Sequence, residues 1–291
     1  MNAILYVFSG TGNTMRICSL YKEEFEKCGV DTTIYPVRSD MSDLPDPEAF
    51  DHVGFAYPIH AFNAPEIMLA LAKKIKAVSH KEFFILKSSG EPLKINNVSS
   101  LRFAALLKKK GYALKSEYHY VMPYNMIFRH TDREAVKMWK TAKALCKIEA
   151  REVLHGIGHK LPRVFLGRFI AWLFRIEQIA MRVNGRFFKV KADKCILCRK
   201  CEGACPTGNI HIDENGKFRF GKNCMMCARC SFHCPTDAFK IGILNGWRVN
   251  GAYPLDLFTD DVRELNHRHG WYCKKAYARY YAEAKTKTGI E

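Results

Sequence analysis

The chain is short of acid and of unbroken apolar sequence. Its 291 residues hold 29 Asp and Glu against 46 Lys and Arg, a formal net charge of +17. Such a surface steers an acidic protein, an anionic lipid or a nucleic acid. No nucleic-acid recognition motif accompanies the charge, so nucleic acid is set aside. Runs such as Lys73, Lys74, Lys76 and Lys108 to Lys110 read as solvated helix faces. The densest apolar stretch, 161–183, is interrupted by Arg163, Arg168, Arg175, Glu177 and Arg182 and is unsuited to spanning a bilayer. The apolar start, Ala3 to Phe8, is too short for a signal peptide and lacks a basic flank, so a reducing cytoplasm is expected. No nucleophile, acid–base pair or substrate pocket can be assigned, and no catalytic residue is named.

Cysteine, by contrast, is plentiful. Eight of the twelve fall into two copies of one run, Cys195-x2-Cys198-x2-Cys201-x3-Cys205-Pro206 and Cys224-x2-Cys227-x2-Cys230-x3-Cys234-Pro235. This is the spacing of bacterial ferredoxins. Three cysteines at i, i+3 and i+6 let one tight loop hold three irons of a cubane while its amides face sulfur. The fourth cysteine, ahead of a turning proline, ligates the other cluster. Cys195, Cys198, Cys201 and Cys234 are thus expected on one 4Fe-4S cluster, and Cys224, Cys227, Cys230 and Cys205 on a second. Zinc would want two separated pairs of ligands, and disulfides an oxidising compartment. Neither accounts for the doubled run with its prolines. Short strands at Ile210 to Ile212 and Ala238 to Ile241 follow each run, in a module of roughly 55 residues whose core the metal largely supplies. Cys18, Cys28, Cys146 and Cys273 stand apart and read as ordinary thiols.

The other half alternates strands and helices. Strands are expected at Ala3 to Phe8, Thr32 to Tyr35, His52 to Tyr57, Phe83 to Leu86 and Tyr118 to Met122, with helices from Asn13, at 66–77 and at 100–110. The pattern suggests a doubly wound five-stranded parallel sheet of order 2-1-3-4-5, with its crevice between the first and third strands. The first turn, Ser9-Gly10-Thr11-Gly12-Asn13-Thr14, lacks a lysine but offers hydroxyls and amides at a helix N-terminus, where a phosphate can bind. A plain N-cap by Thr11 or Asn13 is the alternative.

Through Phe8 to Thr14 and the loops after strands three and four, the chain resembles flavodoxins. With the cysteine runs it is similar to the flavodoxin-ferredoxin fusion proteins of anaerobic bacteria and archaea, over about residues 1–125 and 190–245. The resemblance implies bound FMN. It matches Ser9, Thr11, Gly12, Asn13 and Thr14 to the phosphate loop. Pro58, His60, Ala61, Phe62 and Asn63 match the first isoalloxazine loop, and Ser88, Ser89, Gly90 and Glu91 the second. Two departures stand out. Lys87 to Pro92 holds no aromatic, so one flavin face is open or is covered by Tyr124, Phe128 or the ferredoxin module. The family's carriers are usually acidic. Here Arg199, Lys200, Lys222, Arg229 and His233 lie inside or beside the runs and should raise cofactor potentials, with Glu202 opposing.

Residues 132–155 read as an amphipathic helix. For 161–183 two readings stand: a helix clamped between the modules, and a basic amphipathic helix on a membrane surface. The tail carries Trp271, Tyr272, Tyr277, Tyr280 and Tyr281, with a helix at Lys274 to Lys285. The expected domains are 1–155 (FMN), 156–188 (helical linker), 189–245 (two clusters) and 246–291 (helical extension). The expected function is electron transfer between FMN and two 4Fe-4S clusters and on to an external, acidic redox partner. The alternatives are a flavin-dependent reductase of a small organic substrate fed through the clusters, and a membrane-docked subunit of a larger redox complex with peripheral contact to anionic lipid.

Overall fold

A computed structural model describes residues 1–162, 164–249, 251–256 and 273–289. The N-terminal half is a parallel sheet ordered β2-β1-β3-β4-β5, from β1 (Asn2–Val7), β2 (Asp31–Pro36), β3 (His52–Pro58), β4 (Lys81–Ser89) and β5 (Tyr112–Val121). That is the flavodoxin-like order expected, with the switch point between β1 and β3. Alternation along β1 explains its double burial. Ala3, Leu5 and Val7 pack under α1 (Asn13–Lys27) and α4 (Asp132–Leu154). Ile4, Tyr6 and Phe8 pack under α2 (Glu66–Lys74) and α3 (Leu101–Lys108).

Local signals account for the element ends. Thr131 and Glu134 form a reciprocal capping box at the start of α4, which fixes its first turn. β5 begins six residues before the expected Tyr118. Its first half, with Lys115 exposed enough to pair with Glu82, lacks the apolar signature of a central strand because it lies at the sheet edge. That edge is covered at Ser116, which bridges to His159.

The C-terminal module pairs β6 (Phe188–Val190) with β9 (Phe239–Ile241), and β7 (Ile210–Ile212) with β8 (Phe218–Phe220), around α7 (Lys200–Ala204) and α8 (Arg229–Phe232). Its buried apolar cluster is Phe188, Ile210, Met226, Phe239 and Ile241, ringed by partly buried cysteines. So few buried groups cannot hold a module this size by apolar burial alone.

Between the modules the segment expected as one helix is two, α5 (Gly167–Leu173) and α6 (Arg175–Gly185). They meet at Phe174, whose ring packs edge-on against Phe62 at 4.8 Å. Gln178 Nε2 donates to the Ala64 carbonyl at 3.3 Å, and Asn184 Nδ2 to the Ile241 carbonyl at 2.9 Å, so α6 bridges both modules. The last helix, α9 (Lys274–Thr288), returns to α4, where Lys287 pairs with Glu149 at 3.1 Å and Glu152 at 2.8 Å. Tyr277 and Tyr280 pack into this contact, and Tyr277 donates to the Gly90 carbonyl. Arg163, Trp271 and Tyr272 lie outside the described residues.

Candidate functional site

The C-terminal ends of β1, β3, β4 and β5 converge on a cavity of about 400 Å³. Ser9, Thr11, Asn13 and Thr14 line it from the first turn, and Pro58, His60, Ala61 and Phe62 from the second. Ser88, Ser89, Gly90 and Glu91 line it from the third. Gly12 and Asn63 do not line it, and Gly12 instead lines the neighbouring cavity of the first cysteine run. Gly12 adopts a left-handed φ of 109° that turns the chain into α1. Asn63 Nδ2 donates to the carbonyls of Ala61, at 2.7 Å, and Ala171, at 2.8 Å.

The first turn is not a simple side-chain cap. No side chain caps α1 at Gly12. Asn13 Nδ2 instead donates to the Pro123 carbonyl at 2.8 Å, Thr11 Oγ1 accepts from Asn125, and the Thr14 and Ser88 hydroxyls share a 2.7 Å hydrogen bond. Ser9 Oγ accepts from the Met15 amide at 3.3 Å. The positive end of α1 therefore faces the cavity, a setting that favours an anion. Asn125 Oδ1 is buried without a partner, leaving an acceptor for a ligand hydroxyl or N–H beside Thr11.

Strain marks the second loop. His60 and Asn63 exchange backbone hydrogen bonds at 3.0 and 2.9 Å across Ala61 and Phe62, whose φ values are 49° and 55°. This is a tight turn with both central residues left-handed and neither a glycine, at a cost of roughly 1–2 kcal/mol each. Phe62 both lines the cavity and packs its ring on Phe174. His60 does the same, edge-on to Phe8 at 6.0 Å, and burial pushes its pKa down to about 4.

The aromatic missing from the third loop comes from the one after β5. A Cβ on Gly90 would fall 2.5 Å from the Tyr124 ring, which stacks on His130 and meets Phe128 edge-on. The sequence offers Tyr124, Phe128 and the ferredoxin module as covers. From that module Met226, Cys227 and Ala228 line the cavity, and so do four residues the sequence does not point to: Phe174 at the α5–α6 junction, Glu177 and Met181 of α6, and Trp247. Phe174, Glu177, Met181 and Trp247 carry no local signal, because each lies more than 50 residues past Val121 at the end of β5.

The cysteine runs adopt the same turns. Leu197 and Arg199 in the first have φ of 51° and 54°; Met226 and Ala228, at the equivalent places, have 51° and 57°. Four left-handed non-glycine residues at matching positions turn amides inward, as the Met226 amide donates to Cys224 Sγ at 3.4 Å. The amides four residues past the last cysteines do likewise, Asn209 to Cys205 Sγ at 3.2 Å and Ala238 to Cys234 Sγ at 3.3 Å. Cys195, Cys198, Cys201 and Cys234 line one cavity of about 630 Å³. Cys205, Cys224 and Cys227 line a tight pocket of about 30 Å³, and Cys230 borders both. Among the described residues no three His, Cys, Asp or Glu groups converge on a single-ion site. Burial pushes the Cys201 thiol up to about 11 and Cys224 to about 12, and raises Cys227 and Cys230. Thiolates in such surroundings require a cationic centre to compensate them.

The two sites touch. A Cβ on Gly10 would lie 2.4 Å from the Cys227 carbonyl oxygen. Arg229 donates to the Gly10 carbonyl at 2.9 Å and to that of Ser9, bringing the positive charge that the first turn lacks. Arg199 has no such role, since Glu202 pairs with it at 2.8 Å.

Residues 194–238 match the 4Fe-4S dicluster domain family. Among solved structures, a flavodoxin of Streptococcus pneumoniae TIGR4 is 16% identical, covering 53% of this chain and 99% of its own, with a TM-score of 0.39. Flavodoxin 1 of Bacillus cereus is 12% identical over 53% and 98%, with a TM-score of 0.39. A Fusobacterium nucleatum flavodoxin bound to flavin mononucleotide is 14% identical over 53% and 96%, with a TM-score of 0.37. Comparison with curated proteins found no match. The strand order, rather than these overall likenesses, sets the fold class.

Proposed function

We propose that this chain is a cytoplasmic electron-transfer protein that joins FMN, in the cavity at the strand ends, to two 4Fe-4S clusters and through them to an external redox partner. The observation that carries the reading is the shared wall: Met226, Cys227 and Ala228 belong to a cysteine run and also line the cavity. The residues fit the groups. An α1 terminus with no side-chain cap from its N-cap residue Gly12, an orphan acceptor on Asn125 and a strained turn at Ala61 and Phe62 suit a phosphorylated flavin. Two rings of cysteines, partly buried except for the exposed Cys198, with matching left-handed turns suit polynuclear clusters. When bound, FMN supplies two-electron chemistry divisible into single steps, and each cluster a single-electron couple.

The chain's own part is to hold, space and shield. Ser9 to Thr14 would take the phosphate, with Arg229 adding charge from behind. Pro58 to Phe62 and Ser88 to Glu91 would flank the ring, with Tyr124 and α6 excluding water. Cys195, Cys198, Cys201 and Cys234 would hold the outer cluster, and Cys224, Cys227, Cys230 and Cys205 the inner one. The exposed Ile196, Leu197 and Lys200 surround exposed Cys198 and offer an apolar, basic seat for an acidic partner.

Anaerobic purification with iron, sulfide and flavin analysis tests this. The expected content is about eight irons, about eight sulfides and one FMN per chain. Zinc in place of iron, or no flavin after reconstitution, would sink the corresponding half. A second reading, a reductase of a small organic substrate, draws on Glu177, a cavity-lining carboxyl whose pKa burial raises into a proton-donating direction. A partner-free substrate that reoxidises the reduced protein, more slowly in Glu177→Gln, would favour it.

A further inference from the structure

The fold uses only one face of α5 and α6, and the apolar residues of the other stand outside it. Inward, Gly167 and Ala171 are buried, and a Cβ on Gly167 would strike Val98 at 2.3 Å. Outward, Phe165 just ahead of α5, Phe169 and Trp172 on α5, and Ile176, Ile179 and Val183 on α6 follow at steps of four and three residues, the spacing of one face within each helix. Their exposures are 89, 57, 58, 68, 61 and 46%. Leu166, Leu173 and Phe187 widen the ridge. An apolar patch of this extent on a folded chain marks an interaction surface.

Charge says what covers it. Residues 163–187 contain five arginines and one acid, Glu177, which lines the internal cavity rather than the ridge. Arg168 and Arg186 are exposed beside the ridge, in a chain whose net charge is +17. Trp172 stacks on Phe169 at 5.8 Å, presenting the kind of aromatic ring that favours the headgroup level. Among the described residues no helix is long and apolar enough to cross a membrane.

We propose that α5 and α6 form a peripheral docking surface for anionic bilayers, seated in the headgroup region with the ridge in the acyl boundary and the arginines on lipid phosphate. Both earlier readings of 161–183 then hold at once, since the inner face clamps the modules and the outer face meets lipid. The proposal does not depend on which cofactors the chain carries. Because α6 also lines the cavity, the docked face and the cofactor site share a helix.

The test is cosedimentation of the full chain with vesicles of phosphatidylcholine alone or with about one third phosphatidylglycerol, at low and high salt. Binding to the anionic vesicles only, weakened roughly tenfold or more by the combined Phe169→Ser, Trp172→Ser and Ile176→Ser changes, is expected. Arg168→Glu with Arg186→Glu should weaken it too, and as surface changes both sets should leave circular dichroism intact. No binding at low salt, or binding indifferent to the ridge changes, overturns the proposal. So does a dimer in solution that those changes dissociate while vesicle binding is absent, which would assign the ridge to a second copy.

Discussion

The two cysteine runs share a spacing and backbone turns, yet their surroundings differ. Leu197 is 53% exposed, whereas its counterpart Met226 is 5% exposed. Lys200 stands in solvent, whereas Arg229 at the same place reaches back to Ser9 and Gly10. The first run borders an open cavity that the first turn also lines, and the second a tight pocket, with the Cys227 backbone packed directly on Gly10. One repeat thus yields an outer and an inner site. Spacing sets what a run can bind, while burial and neighbours set where it stands in a relay and how its potential is tuned.

The strongest way to break this comparison is to remove one ligand from each run. Cys198→Ser and Cys227→Ser should each lower iron from about eight to about four per chain. Only Cys227→Ser should also lower flavin content, because its loop forms the cavity wall. Equal flavin in both variants would refute an inner site in contact with FMN. The next contrast is Arg229→Ala against Lys200→Ala. The first removes charged hydrogen bonds between the modules and should cost about 1.5–3 kcal/mol in denaturant unfolding. The second should stay within about 0.5 kcal/mol.

Glycines give a finer contrast. Gly10→Ala forces a methyl onto the Cys227 carbonyl and should cost about 1–3 kcal/mol, with weaker flavin binding by fluorescence titration. Gly203→Ala, in α7 with nothing within 4 Å, should be neutral or stabilising by about 0.5–1 kcal/mol. A Gly203→Ala loss as large as that of Gly10→Ala would erase the distinction. The smallest effect expected is kinetic. Lys200→Glu should slow reduction by an acidic carrier at low salt and leave the rate unchanged at high salt, as stopped-flow traces would show.

Much of this was legible in the chain. The alternating strands foretold the order β2-β1-β3-β4-β5, because strand period and crossover helices are local patterns. The loops after β1, β3 and β4 were placed correctly at one cavity by that topology. The early start of β5 was not, since an edge strand with a half-buried Lys115 carries no core signature. Nor was the break at Phe174, which answers to a ring more than 100 residues away. Arg229 was read as a charge tuning the clusters; its hydrogen bonds, 219 and 220 residues distant, had no trace in the sequence around it.

By itself the sequence determined the chemistry of the cysteine runs, the left-handed turns their spacing demands, and the parallel sheet with its phosphate-ready first turn. These depend on residues within a few positions of one another. Tertiary structure alone decided which run faces the cavity, that Tyr124 and α6 replace the missing aromatic, and that one face of α5 and α6 stays exposed. Burial is a sum over contacts from distant segments, and no local pattern carries that sum.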